Sequence, residues 1–127
     1  MRLPSPNFGA RARNVALDFD STAAMSEFVL HPDAVKDLEE IWEYIADDNL
    51  EAADRIREEI YDAIQSLAPF PYVGHSRPDL TSRPLRFQTV REFVLAYAPD
   101  EKPLAVVAIL HGRRNPRVIA AILRART

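Results

Sequence analysis

The stretch that decides the fold runs from residue 31 to residue 67 and reads HPDAVKDLEEIWEYIADDNLEAADRIREEIYDAIQSL. Its first half has apolar residues at the spacing of an amphipathic helix, and Pro32 suits the first helical position. Asp47-Asp48-Asn49 ends this pattern, and Asn49 can cap a second helix. Because the connection is so short, the two helices are predicted to form an antiparallel hairpin.

The hairpin is expected to bury one stripe of each helix against a sheet, while His31 caps the first helix. The predicted stripes are Val35, Leu38, Ile41, Trp42 and Ile45 in the first helix, and Ala53, Ile56, Ile60, Ile64 and Leu67 in the second. Ile41, Trp42, Ile60 and Ile64 are expected to contact the sheet at Leu95, Val106 and Ala108.

Strand patterns lie on both sides of the hairpin. Before it, Ser26 to His31 reads as a short strand in which Phe28 and Leu30 share a face. After it, a proline-containing loop leads to two alternating segments, at 85–90 and 93–98, which are typical of half-buried strands.

The last part of the chain predicts a central strand and a helix. Residues 104–110 are apolar on both faces, as in a strand with neighbours on either side. Asn115 can cap a short final helix that starts at Pro116 and packs through Val118, Ile119 and Ile122. The whole order predicts an α+β fold: an N-terminal strand, a helical hairpin on one face of a small, mostly antiparallel sheet, and a short C-terminal helix.

Composition excludes several classes of site. The chain has no cysteine, three scattered histidines and three glycines, so neither a metal site nor a glycine-rich cofactor loop is expected. No apolar run approaches the ~20 residues that span a bilayer, and no secretory signal is expected. Residues 1–24 have no apolar period and are expected to be a disordered extension; the alternative is that the natural start is Met25. Residues 25–127 are then a single domain, expected in the cytoplasm.

Charge is distributed unevenly along the chain, although the net charge is only −3. Residues 32–68 hold twelve acidic and three basic side chains, whereas residues 69–127 hold ten basic and four acidic ones. The second half therefore suits an anionic partner. The ordinary alternative is a solvated acidic helix pair beside a basic sheet.

Seven segments, taken in order, resemble the ParE-like branch of the RelE/ParE toxin superfamily. They are His31–Ala34, Asp37–Ala46, the second helix start at Asp48–Ala53, the loop Gly74–Leu80, Leu85–Phe87, Phe93–Tyr97 and Leu110–Asn115. The resemblance extends over nearly the whole domain, from about Met25 to Leu123.

The resemblance implies the toxin of a type II toxin–antitoxin system, held in a hetero-oligomer with a cognate antitoxin. ParE-like members are known for poisoning DNA gyrase, whereas RelE-like members cleave mRNA in the ribosome. Some members have lost toxicity and remain as binding modules. Gyrase is the first choice of target here, with the ribosome and its mRNA as the alternative.

The candidate site residues follow from the two activities. RNA cleavage needs an acid, a base and cationic groups, for which Arg86, Tyr97 and His111 are the candidates. A surface that binds the target or the antitoxin would use Arg77, Arg86, Tyr97, His111, Arg113 and Arg114. The chain has two lysines and no Tyr, His, Asp or Glu after His111, which disfavours the nuclease. Its place on an alternating strand favours Tyr97 as core or groove wall over an acid, and Arg77, Arg86 and His111 can equally be structural.

Overall fold

The computed structural model describes residues 28–126, and the predicted extension at residues 1–24 lies outside that range. The elements are β1 (Phe28–Leu30), α1 (Pro32–Ala46), α2 (Leu50–Leu67), β2 (Arg86–Val90), β3 (Phe93–Ala98), β4 (Leu104–His111) and α3 (Pro116–Ala125). Their order and type confirm the predicted α+β architecture. No helix among residues 28–126 is long and apolar enough to cross a membrane.

The sheet has the order β1-β4-β3-β2. β1 lies parallel to β4, and the other two pairings are antiparallel. β4 is therefore central, as its apolar sequence predicts. Arg86 pairs with Tyr97 at one end of β3, and His111 pairs with Phe93 at the other.

The helix starts are fixed by the three predicted caps. His31 accepts a hydrogen bond from the Asp33 N–H through Nδ1, at 3.1 Å. The Oδ1 atoms of Asn49 and Asn115 accept from backbone N–H groups, at 3.0 and 2.8 Å respectively. Each cap satisfies a donor that the helix itself leaves without a partner. These local signals therefore set where all three helices begin.

The main core lies between the hairpin and one face of the sheet, as predicted. Its fully buried residues include Ile60 and Ile64 from α2 and Leu95 and Val106 from the sheet. Ile41 is partly buried against the same cluster.

Trp42 departs from the predicted stripe. Its Nε1–H donates to Asp54 Oδ1 at 2.9 Å, and the Arg57 guanidinium lies 5.5 Å from its ring centroid. The indole therefore bridges the two helices on their outer side, and the prediction that it contacts the sheet is wrong. Val35, another predicted member of the stripe, is exposed.

A β-bulge in β4 changes which residues face the hairpin. Ala96 pairs with Ala108 but Tyr97 pairs with Val106, so that Val107 is an extra residue. Val107 and Ala108 both pack in the core on the opposite face. The prediction that Ala108 contacts the hairpin is therefore wrong, because the bulge shifts the alternation by one residue.

That opposite face is covered by α3. Ile119 and Leu123 are buried there with Phe87 and Leu110, and Ile122 is partly buried beside them. Val118, which was expected to pack, is 44% exposed. Leu123, one turn after Ile119, is buried there instead.

A buried ion pair ties the end of the chain to α1 and β4. The two carboxylate oxygens of Asp37 lie 2.6 and 2.9 Å from the Arg126 guanidinium. Asp37 also accepts from the Ile109 N–H at 3.0 Å, and Arg126 donates to the Val107 carbonyl at 3.2 Å. The hydrogen bonds to Asp37 raise the pKa of Arg126. The ion pair therefore satisfies backbone groups on the edge of β4 that β1, which pairs only with residues 104–106, leaves without a neighbouring strand.

Candidate functional site

Tyr97 is a buried residue with an internal partner. Its side chain is fully buried, and its hydroxyl accepts a hydrogen bond from the Gly74 N–H at 3.0 Å. Burial raises the pKa of this hydroxyl. A Cβ atom on Gly74 would overlap the same oxygen and lie 2.9 Å from the Phe87 carbonyl oxygen, so the loop needs glycine here. The geometry makes Tyr97 an anchor for the loop at Gly74.

Arg86 lies opposite Tyr97 and also holds this loop. Its Nη1 donates to the Gly74 carbonyl at 2.9 Å and more weakly to the Tyr72 carbonyl. Its guanidinium lies 5.6 Å from the ring centroid of Tyr72, whose hydroxyl is bonded to Asp100. The structure thus brings Arg86 and Tyr97 together, in contacts internal to the protein.

Arg77 lies further along the same loop and is paired with a neighbour. Its Nε and Nη2 donate to the two oxygens of Asp79 at 2.9 and 2.8 Å. The hydrogen bond to Arg77 lowers the pKa of Asp79. This ion pair is largely exposed, so screening by solvent leaves it little effect on stability.

His111 lies at the opposite end of β3 from Tyr97. Their register positions are four residues apart along β3, which corresponds to about 13 Å. His111 Nδ1 accepts from the Arg113 N–H at 3.3 Å, and its Nε2 lies 3.6 Å from Glu92. The structure therefore does not bring Arg86, Tyr97 and His111 into one site.

An open cleft of about 280 Å³ lies beside His111, between α1 and the end of the sheet. Its apolar floor includes Ile41, Phe93 and Ile109. Tyr44 stands at its rim and is 83% exposed. Sequence reasoning missed the part that α1 plays here. The available signal was Tyr44 itself, a large aromatic residue off the buried stripe of the helix.

Arg114 lines this cleft, and we call it, with Arg113 and Arg117 beside it in the chain, the basic rim. All three are exposed. Within residues 28–126, no carboxylate lies within ion-pair distance of them. Glu92 also lines the cleft, but among the described residues its ion-pair contact is with His111, at 3.6 Å.

The other arginines mostly have partners. Arg57, Arg77, Arg91 and Arg126 pair with carboxylates. Arg83, like Arg86, donates to backbone carbonyls. The part of the chain that the structure describes contains no cluster of three or more histidine or carboxylate side chains able to hold a metal ion. What the cleft offers chemically is a contact surface with exposed charge.

Comparison with known proteins places this arrangement in a family. The sequence model of the family "ParE toxin of type II toxin-antitoxin system, parDE" matches residues 28–116. A comparison with curated proteins finds no match. A solved structure, "Chromosomal ParDE TA system from P. aeruginosa", is 20% identical with a TM-score of 0.56, covering 70% of this chain and 98% of that chain. This structural likeness shows the shared fold. Because the family match covers most of the chain, the protein belongs to the ParE toxins of type II toxin–antitoxin systems.

Proposed function

We propose that this toxin acts in the cytoplasm by binding DNA gyrase and does not cleave RNA, and that a cognate antitoxin neutralises it by covering the cleft. The observation that carries the proposal is the separation of the candidate proton carriers. Tyr97 lies near one end of β3, whereas His111, the last residue of β4, pairs with Phe93 at the other end of β3, about 13 Å away along the strand.

A nuclease would need these groups side by side. Attack of a 2′-hydroxyl on its neighbouring phosphate requires an acid and a base within hydrogen-bond reach of the reacting atoms, beside cationic groups. The Tyr97 hydroxyl is buried against Gly74, and Arg86 is bonded to two carbonyls. Reassembling these residues as a catalytic site would require breaking the contacts that hold the loop.

Binding to a protein target makes no such demand. The guanidinium forks of Arg113 and Arg114 are exposed and have no carboxylate partner within residues 28–126, so they are ready to bind carboxylates on another molecule. Gyrase is the target that the resemblance to ParE-like toxins implies. The basic rim is the surface that we assign to this contact.

The antitoxin is assigned to the cleft. The related solved structure is titled as a ParDE system, and we extend that pairing to this chain as a hetero-oligomer. The cleft has an apolar floor and charged groups on either side, including Glu40 and Arg114. This combination suits an amphipathic segment, whose apolar face enters the cleft while its polar face meets the charges.

The test is induced expression without the antitoxin, followed by parallel assays of gyrase supercoiling and of cellular mRNA integrity. We expect supercoiling to be inhibited while mRNA stays intact. Replacing Arg113 and Arg114 together by Ala should weaken inhibition about tenfold or more, since two charge-assisted contacts are lost.

The matched control is Arg55→Ala with Arg124→Ala, which removes the same charge from exposed positions outside the cleft. It should inhibit as the unmodified protein does. Cleavage of ribosome-bound mRNA with supercoiling untouched would replace this proposal with the RelE-like nuclease. A protein that affects neither process but still binds its antitoxin would be a non-toxic binding module.

A further inference from the structure

Tyr44 lies on a face of α1 that carries carboxylates. Glu40 precedes it by four residues and Asp47 follows it by three, so the three side chains are neighbours along one face of the helix. The last turn of α1 contains no basic residue to offset the partly negative carbonyl end. Among the residues that the structure describes, neither carboxylate forms an ion pair. Arg126 interacts electrostatically with Glu40, but its guanidinium is bonded to Asp37.

Tyr44 and Glu40 also separate two hollows in the surface, because both residues line each of them. The first hollow is the cleft beside the end of the sheet, and its charged lining is Asp37, Glu40, Glu92, His111 and Arg114. The second hollow is lined by Glu43 and Asp47 and by no basic residue. A segment that fills the cleft and continues over Tyr44 therefore meets more negative than positive charge, beside an apolar floor.

The ring of Trp42, on the same helix, shows what an aromatic residue beside a carboxylate binds in this protein. Its Nε1–H donates to Asp54, and the Arg57 guanidinium lies over the ring, 5.5 Å from the centroid. Arg57 also donates to Asp54 at 3.0 Å. The arginine is thus held by the aromatic face and by the carboxylate together.

Tyr72 has the same surroundings. The Arg86 guanidinium lies 5.6 Å from its ring centroid, and its hydroxyl is bonded to Asp100. Tyr44 has carboxylate neighbours too, and its side chain is exposed. Within residues 28–126, however, no arginine lies over the Tyr44 ring. Its aromatic face is therefore available to a cation from another molecule.

We propose that the antitoxin segment assigned to the cleft carries an arginine that stacks on Tyr44 between Glu40 and Asp47. Apolar residues next to this arginine enter the cleft. A guanidinium is planar and weakly hydrated, so it suits an aromatic face flanked by carboxylates better than the compact ammonium of lysine does. The identity of the segment rests on the proposed function, whereas its charge follows from the surface around Tyr44.

The experiment is calorimetric titration of the full-length toxin and its variants with the purified cognate antitoxin. Tyr44→Leu keeps an apolar side chain but loses the aromatic face, and it should weaken binding about fivefold or more. Glu40→Gln with Asp47→Asn removes both flanking charges and should weaken binding about tenfold or more. The matched control is Glu39→Gln with Glu58→Gln, at exposed positions outside both hollows, which should change the affinity less than about twofold.

The arginine is located by replacing each arginine of the antitoxin with glutamine in turn. One of these antitoxin variants should bind the unmodified toxin and the Tyr44→Leu toxin equally, because the contact is already lost. Circular dichroism of each toxin variant checks that the fold is retained. The proposal is overturned if the Tyr44→Leu toxin binds the antitoxin with full affinity. It is also overturned if every antitoxin variant still loses the full factor on Tyr44→Leu.

Hydroxyl-radical footprinting of the complex distinguishes this contact from the antitoxin assignment itself. His111 lines the cleft, so its protection by the antitoxin reports that the cleft is covered. Protection of His111 with no coupling to Tyr44 overturns the arginine contact and leaves the antitoxin assignment standing. A His111 side chain that stays fully reactive in the complex overturns both. Failure of the gyrase assignment affects neither result.

Discussion

The two ends of the sheet use similar residues in opposite ways. At the closed end, Arg86 and Tyr97 are bonded to the loop at Gly74. At the open end, Arg114 lines the cleft, Arg113 precedes it in the chain, and neither forms an ion pair within residues 28–126. Both ends looked alike as candidate binding residues in the sequence. The difference lies in the hydrogen bonds of the arginines. A structural arginine donates to acceptors within the protein, whereas a binding arginine keeps its donors available for another molecule.

The largest expected effect concerns Arg126, an arginine near the open end that is already paired with a carboxylate inside the protein. Arg126→Ala leaves Asp37 buried without its cation, and such a loss costs about 3–5 kcal/mol of unfolding free energy. Urea denaturation measures it. Arg124→Ala, which removes an exposed charge from the last turn of α3, should change stability by less than about 0.5 kcal/mol. Equal effects of the two would break the distinction.

A smaller effect is expected at the closed end. Tyr97→Phe removes the acceptor of the Gly74 N–H, so a buried donor loses its partner and stability should fall by about 1–3 kcal/mol. Thermal and urea unfolding measure the loss. Below the unfolding temperature the variant should inhibit gyrase normally. Toxicity abolished in a protein that is still folded would instead give the hydroxyl a chemical role.

The smallest effect on stability is expected at the open end. Arg113→Ala with Arg114→Ala should leave the unfolding free energy within about 0.5 kcal/mol of the original, because neither side chain has an internal ion-pair partner among the described residues. The same variant is the one expected to lose inhibition of gyrase. A large fall in stability would show that these arginines belong to the structural class.

The predictions from sequence succeeded where the signal was local. The caps at His31, Asn49 and Asn115 and the helical spacing that predicted α1 and α2 depend on neighbours within a few residues, and the structure confirms the caps and both helices. The apolar run of β4 likewise predicted a central strand.

The errors arose from contacts between distant residues. Trp42 fits the helical period, but Asp54 and Arg57 on the next helix offer it a hydrogen bond and a cation outside the core. The bulge at Val107 depends on pairing with β3, which the sequence of β4 alone does not reveal. The site shows the same limit, since only the fold brings Gly74 to Tyr97 and α1 to His111.

The pairing of Asp37 with Arg126 has a consequence for solubility. β1 pairs with β4 over only three residues, so the rest of that strand would present bare backbone groups to other chains. The Ile109 N–H meets a carboxylate and the Val107 carbonyl meets a guanidinium, as they would meet a neighbouring strand. The side chains of Asp37 and Arg126 thus form the hydrogen bonds that a neighbouring strand would form. These backbone groups are then not available to pair with a strand of another chain.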